Sequence, residues 1–119
     1  MKEELLSKPS LESLFEDLTH PNPNINKQAY ISMIEYWPNE SIPRLLENLD
    51  NPDVSLRRAS VKALGAFGPV ILIPVTEVFY LSNSKVVKTS CLKVFVQVAS
   101  GSHGSAFPQK TMTIISQAF

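Results

Sequence analysis

The segment Ser10-Leu11-Glu12-Ser13-Leu14-Phe15-Glu16-Asp17-Leu18 returns 31 positions later as Ser41-Ile42-Pro43-Arg44-Leu45-Leu46-Glu47-Asn48-Leu49. A second segment, Leu56-Arg57-Arg58-Ala59-Ser60-Val61-Lys62, returns as Val87-Lys88-Thr89-Ser90-Cys91-Leu92-Lys93. A fixed period of this length in segments with helical apolar spacing is the signature of stacked helix pairs. One pair cannot bury its apolar face alone, so neighbours stack into a curved array whose exposed surface is a platform for another macromolecule. The expected fold is all-α, an α-α superhelix of about three and a half helix pairs. It forms a single domain over 1–119, with repeats at about 10–38, 41–68 and 70–100 and a partial fourth at 107–119.

Turn residues mark the divisions. Leu11, Leu14, Phe15 and Leu18 share one helical face, and His20-Pro21-Asn22-Pro23-Asn24 closes that helix. A second helix is expected from about Ile25 to Trp37, ended by Pro38-Asn39. Ser41 is placed as the next N-cap, with Pro43 in the first turn, where a missing N–H costs nothing. Asn51-Pro52-Asp53 turns the chain again, and Gly68-Pro69 ends the helix that follows. The third pair fits the phrase less well, because Thr76 and Glu77 fall where Leu45 and Leu46 stood, and a kink at Pro74 is expected. Ser82-Asn83-Ser84 turns the chain into a helix from about Lys85 to Ala99. Gly101-Ser102-His103-Gly104-Ser105 reads as a flexible connector. Phe107-Pro108 with Met112, Ile114 and Ile115 reads as the first helix of an unfinished pair, an apolar end open to a partner or to self-association.

Hydrophobic residues make up 44% of the chain and charged residues 18%, a balance that supports a packed core. The net charge is zero, yet it is unevenly placed. Residues 1–53 hold ten acids and four bases, whereas 54–119 hold seven bases and Glu77 alone, so the halves carry about −6 and +6. Such polarity steers a partner, or favours head-to-tail association, and weakens with salt. Cys91 is the single cysteine, which excludes an intrachain disulfide and favours a reducing interior. The start Met1-Lys2-Glu3-Glu4-Leu5-Leu6 lacks the long apolar core of a secretory signal, and Gly65 to Leu81 falls short of the roughly 20 apolar residues of a membrane span. A soluble, cytoplasmic protein is expected.

The sequence carries no phosphate loop, His-x-x-x-His, Cys-x-x-Cys or nucleophile elbow, so no catalytic residue and no metal ligand is assigned. His20 beside Pro21 reads as an exposed, weakly capping imidazole and His103 as a solvated loop residue. Cys91 takes the repeat position held by Tyr30 and Ser60, a packing position, although Lys88 and Lys93 nearby are of the sign that lowers a thiol pKa. Lys27, Arg57 and Lys88 recur at about one register and Lys62 and Lys93 at another, and stacking aligns them into ladders. One reading is structural, with Arg57 pairing to Asp53 or to carbonyls of the preceding turn. The other is a cationic groove for carboxylates or an acidic protein surface. Arg57, Arg58, Lys62, Lys88 and Lys93 are therefore candidate binding residues. Nucleic acid fits poorly, because no aromatic stacking platform is interleaved with these bases. Trp37, aligned with Phe67 and Val98, reads as core, and Tyr36 as a surface anchor.

The phrases Leu18-Thr19-His20-Pro21-Asn22-Pro23-Asn24, Ser41-Ile42-Pro43-Arg44-Leu45-Leu46 and Arg57-Arg58-Ala59-Ser60-Val61-Lys62-Ala63-Leu64-Gly65 resemble HEAT repeats. More narrowly, they resemble the cyanobacterial proteins related to the E/F-type phycobilin lyases and phycobiliprotein chaperones, over roughly residues 11–100. The resemblance implies a protein of a photosynthetic cell that holds a phycobiliprotein subunit during attachment of a linear tetrapyrrole, or assists its folding. The partner is then a phycobiliprotein subunit or another protein. No cofactor is bound permanently, and a phycobilin is a transient ligand. The thiol nucleophile belongs to the substrate protein in such a mechanism, so an enzymatic role, if any, is that of a lyase acting with its substrate or a partner subunit. The alternative function is a general protein-interaction scaffold with no pigment role.

Overall fold

A computed structural model describes residues 8–101 and 107–118, and these residues form helices and connecting turns with no strand. The helices are α1 (Leu11–Asp17), α2 (Pro23–Tyr36), α3 (Pro38–Glu47), α4 (Val54–Ala66), α5 (Leu72–Leu81), α6 (Lys85–Gly101) and α7 (Gln109–Ala118). Short 3-10 turns at Asn48–Asp50 and Gly68–Ile71 end the second pair's first helix and open the third pair. Among the described residues no single helix is long and apolar enough to cross a membrane.

Capping side chains set the starts. Ser10, Asn22 and Asp53 each accept a hydrogen bond from a first-turn amide of α1, α2 and α4, at 3.1, 2.9 and 3.3 Å. Ser84 does the same for α6, accepting from the Val87 amide. The Asn26 side chain closes the first pair by donating to the carbonyls of Asp17 and His20 in the turn that follows α1.

Two helix boundaries differ from expectation. α3 begins at Pro38 rather than Ser41, because Trp37 leaves the helical region (φ −136°, ψ 45°) and the fixed φ of Pro38 opens a new helix at once. Ser41 is then an interior residue, its amide bonded to the Trp37 carbonyl and its hydroxyl buried without a partner among the described residues, so it caps nothing. Pro43 consequently lies in the second turn. The expected kink at Pro74 is also absent. The bend falls earlier, between Ala66 and Gly68, and Pro74 is the third residue of α5, in its first turn, where a missing N–H is tolerated. Gly68 ends α4 at φ +78°, a left-handed conformation that glycine adopts without the Cβ penalty.

The pairs α1/α2, α3/α4 and α5/α6 pack internally, and the second helices α2, α4 and α6 contact one another in succession. One cluster runs through all of them, from Leu14, Leu18 and Met33 through Leu45, Leu49 and Leu64 to Val94, Phe95 and Val98. Trp37 packs partly buried against it and donates its indole N–H to the Pro9 carbonyl, with the Lys8 ammonium 3.8 Å from the ring centroid. α7 packs on α5, which makes sense of the poor fit of the third phrase. Thr76, in the place of Leu45, is buried and hydrogen-bonds the buried Thr111 hydroxyl across that contact. Ile114 is buried and Ile115 half-buried, while Met112 is exposed, so the apolar end expected to lie open is covered only in part. Gly101 ends α6, and the expected connector Ser102 to Ser105, with His103, lies outside the described residues.

The tightest crossing is between α4 and α6. A Cβ built on Gly65 would overlap Cβ of Gln97, an atom too near its backbone to swing aside. Gly65→Val is expected to lower stability by ~1–3 kcal/mol, the usual range for overpacking a close contact. Chemical denaturation checks this, and an unchanged or raised midpoint would show that the helices are not in this contact.

Candidate binding groove

The second helices carry the site. A groove of about 930 Å³ runs over α2, α4 and α6, and its base is formed by Leu18, Tyr30, Ala59, Val61, Leu92 and Val96. Lys27, Arg57, Arg58, Lys62 and Lys93 stand around it, with His20 at the α1–α2 turn. No acidic side chain lines it among the described residues. Lys27, Arg58, Lys62 and Lys93 are exposed, so their ammonium and guanidinium groups are hydrated and free to meet an anion. Arg57 is half-buried and donates to the Asn51 carbonyl at 2.8 Å, the turn-carbonyl pairing foreseen for it. His20 accepts the Asn22 amide hydrogen at Nδ1, 3.0 Å away, which fixes the neutral ring's proton on Nε2.

The 31-residue period sorts the lining residues into rows. Lys27, Arg58 and Thr89 are one row, Tyr30, Val61 and Leu92 a second, and Ile31, Lys62 and Lys93 a third. Lys88 belongs to the row of Asn26 and Arg57, both of which line the groove, yet it is not itself among the lining residues. Its ammonium lies 5.0 Å from the Phe79 ring centroid, at the α5–α6 contact. Arg57, Arg58, Lys62 and Lys93 thus come together, and Lys88 does not join them. Tyr36 is exposed at the end of α2 and lies outside the groove. Tyr30 and Leu92 are the residues that the sequence reading missed. A one-residue slip pairs Tyr30 with Cys91, whose true equivalents are Ser60 and Ala29, all three buried.

Cys91 is fully buried, and burial pushes its thiol up from 9.0 to about 12. Desolvation of the thiolate dominates, offset only in part by a backbone hydrogen bond, so the thiol is not activated. The unfolded chain's thiol ionises near 9.0 and the folded one's near 12, so its contribution to stability is whole below pH 9 and is lost as pH climbs through that window. Native protein at pH 8 is expected to resist iodoacetamide at Cys91 and to react promptly in urea, read by intact mass. Fast native labelling would place the thiol at the surface.

The opposite face has the opposite sign. A smaller groove of about 410 Å³ between α1 and α3 is lined by Glu12, Glu16 and Glu47, with Arg44 bonded to Glu12 at 2.6 Å and 4.0 Å from the Phe15 ring centroid. That ion pair is exposed and contributes on the order of 0–1 kcal/mol. The polarity seen along the sequence is therefore also a polarity between faces, carboxylates on the first helices of pairs one and two and cations on the second helices.

No family model matches the chain. No solved structure matches it. Two curated cyanobacterial proteins do. The chain is 37% identical over 90 residues to the bilin biosynthesis protein CpeZ of Synechococcus sp. (strain WH8020), covering 76% of this chain and 48% of that one. It is 37% identical over 89 residues to the uncharacterized phycocyanin operon protein Z of Pseudanabaena tenuis (strain PCC 7409), covering 75% and 44%. The chain spans about half the length of these curated relatives. The resemblance carried by the repeated phrases thus has matching relatives, and the chain is a homologue of cyanobacterial proteins named for bilin biosynthesis and for a phycocyanin operon.

Proposed function

We propose that this chain is a HEAT-type scaffold acting in phycobiliprotein maturation, as a lyase-like subunit or a chaperone in chromophore attachment. The observation that carries the reading is the groove over α2, α4 and α6, with an apolar base, five cations and no carboxylate among the described residues. An apolar base suits tetrapyrrole rings or the exposed helix of an unfinished subunit. Lysine and arginine around it suit the carboxylates of either. A ligand of mixed character is held because desolvation of its apolar part is favourable and its anions stay paired at the rim. The homologues named for bilin biosynthesis and a phycocyanin operon supply the class of ligand.

No cysteine lines the groove among the described residues. The chain's own part is to bind and orient, while bond formation belongs to a thiol on the acceptor protein. Co-expression with phycobiliprotein subunits and a bilin source is expected to raise chromophore yield and to bring a subunit through purification with this chain. Unchanged yield without co-purification would remove the pigment reading and leave a general interaction scaffold.

A further inference from the structure

The repeat sets out two charged rows of opposite sign. Lys27 and Arg58 are 31 residues apart, as are Lys62 and Lys93, so each pair stands at one register on neighbouring second helices. Glu16 and Glu47 are also 31 apart and stand at one register on the first helices α1 and α3. Packed helices lie about 8–10 Å apart, so the carboxylates and the cations are separated by the same repeat step. All six side chains are exposed, and none of them is in an ion pair among the described residues. Arg44 is the base beside the carboxylates, and Glu12 already holds it.

The two sets lie on different helix layers. The cations stand in the groove over α2, α4 and α6, and the carboxylates in the smaller groove over α1 and α3, with the half-buried Phe15 beside them. Acids do flank the cationic layer. Glu35 and Asp50 fall at the registers of the groove residues Gln97 and Thr19 but do not line the groove, and Asp53 accepts the Leu56 amide as the cap of α4. Against them stand five lining cations, of which Arg57 alone is hydrogen-bonded within the chain among the described residues. Rows of one step on one chain match each other in register, a match that an unrelated acidic surface has no reason to share. Groove and carboxylate row are unlike surfaces, so a contact between two copies leaves a groove free on one and carboxylates free on the other, the head-to-tail kind of contact. Exposed ion pairs contribute little each, so such a contact is weak, reversible and sensitive to salt.

We propose that the groove over α2, α4 and α6 takes the Glu16 and Glu47 face of a second copy of this chain, forming a weak head-to-tail stack that covers the groove until another occupant displaces it. The proposal rests on the charge of the groove and not on the pigment reading, so either can fail alone. The test is analytical ultracentrifugation of the full chain at rising concentration, in low and in high salt. The average mass is expected to rise above that of a monomer in low salt and to return to it in high salt. Glu16→Lys with Glu47→Lys is expected to stay monomeric, and so is Arg58→Glu with Lys62→Glu and Lys93→Glu. Mixed in equal amounts the two variants are expected to associate, because the unaltered groove of the first meets the unaltered carboxylates of the second. Glu35→Lys with Glu40→Lys changes the net charge as much as the first variant, outside both grooves, and should leave association intact. All of these side chains are exposed, so circular dichroism should stay at the wild-type signal. A wild type that is monomeric throughout in low salt would overturn the proposal. So would association that survives Glu16→Lys with Glu47→Lys, a mixture that stays monomeric, or equal loss in the Glu35→Lys, Glu40→Lys control. The Glu16→Lys, Glu47→Lys variant keeps its groove, so its retention of a bilin or a phycobiliprotein subunit reports on the pigment reading separately.

Discussion

Truncating Phe95 to alanine is expected to cost ~3–5 kcal/mol of folding stability, the range for emptying a fully packed aromatic site. Phe95 is 1% exposed and lies in the cluster that joins the helix pairs, on the helix that meets both α4 and α5. A domain of this size has only about 5–15 kcal/mol in total, so the variant should be partly unfolded at moderate temperature. Val96, the next residue, is 48% exposed, and Val96→Ala should stay within about 0.5 kcal/mol. Urea titration of both variants by circular dichroism measures the contrast. Similar losses at the two positions would mean that α6 is rotated about its axis relative to the arrangement described.

Reversing the groove's charge is expected to have the largest functional effect. Arg58→Glu, Lys62→Glu and Lys93→Glu together place three carboxylates where anions are to bind. Each contact to a charged group is worth roughly 1.5–3 kcal/mol, so retention of a phycobiliprotein subunit or a free bilin should fall about 100-fold or more. All three side chains are exposed, so the helical signal should be unchanged. Tyr36→Ala, outside the groove, should leave retention within about twofold, as a surface substitution remote from the contact does. Retention measured by titration or pull-down decides the matter, and full retention in the triple variant would dissociate the groove from the function.

The legibility of the sequence was uneven for identifiable reasons. The 31-residue period and the turn residues gave the helix pairs, because Asn22, Asp53 and Gly68 act through local backbone chemistry that a sequence displays. Ser41 misled because serine is as good a cap as it is a small residue for a buried helix contact, and Pro38 three residues earlier had the stronger claim to the helix start. Thr76 looked like a departure from the repeat only because its partner, Thr111, is 35 residues away. In the groove, the cations were visible as a class. Their directions were not, since a slip of one residue rotates a side chain by about 100° around the helix. Such a slip pairs Tyr30 with Cys91 and hides its place in the groove, whereas Lys88, the repeat equivalent of Arg57, lies instead over Phe79. Cys91 shows the limit most plainly, because neighbouring lysines can be counted in a sequence, whereas the depth of burial that raises its pKa cannot.

Gly65 is not itself a lining residue, yet it packs against Gln97, which is, and so sets the distance between the helices that bear Lys62 and Lys93. The span between those two positive charges is thus fixed by the absence of one methyl group at the helix crossing. A relative with alanine or serine at that position would carry the same cations on a wider gauge, and would suit a ligand whose negative groups stand farther apart.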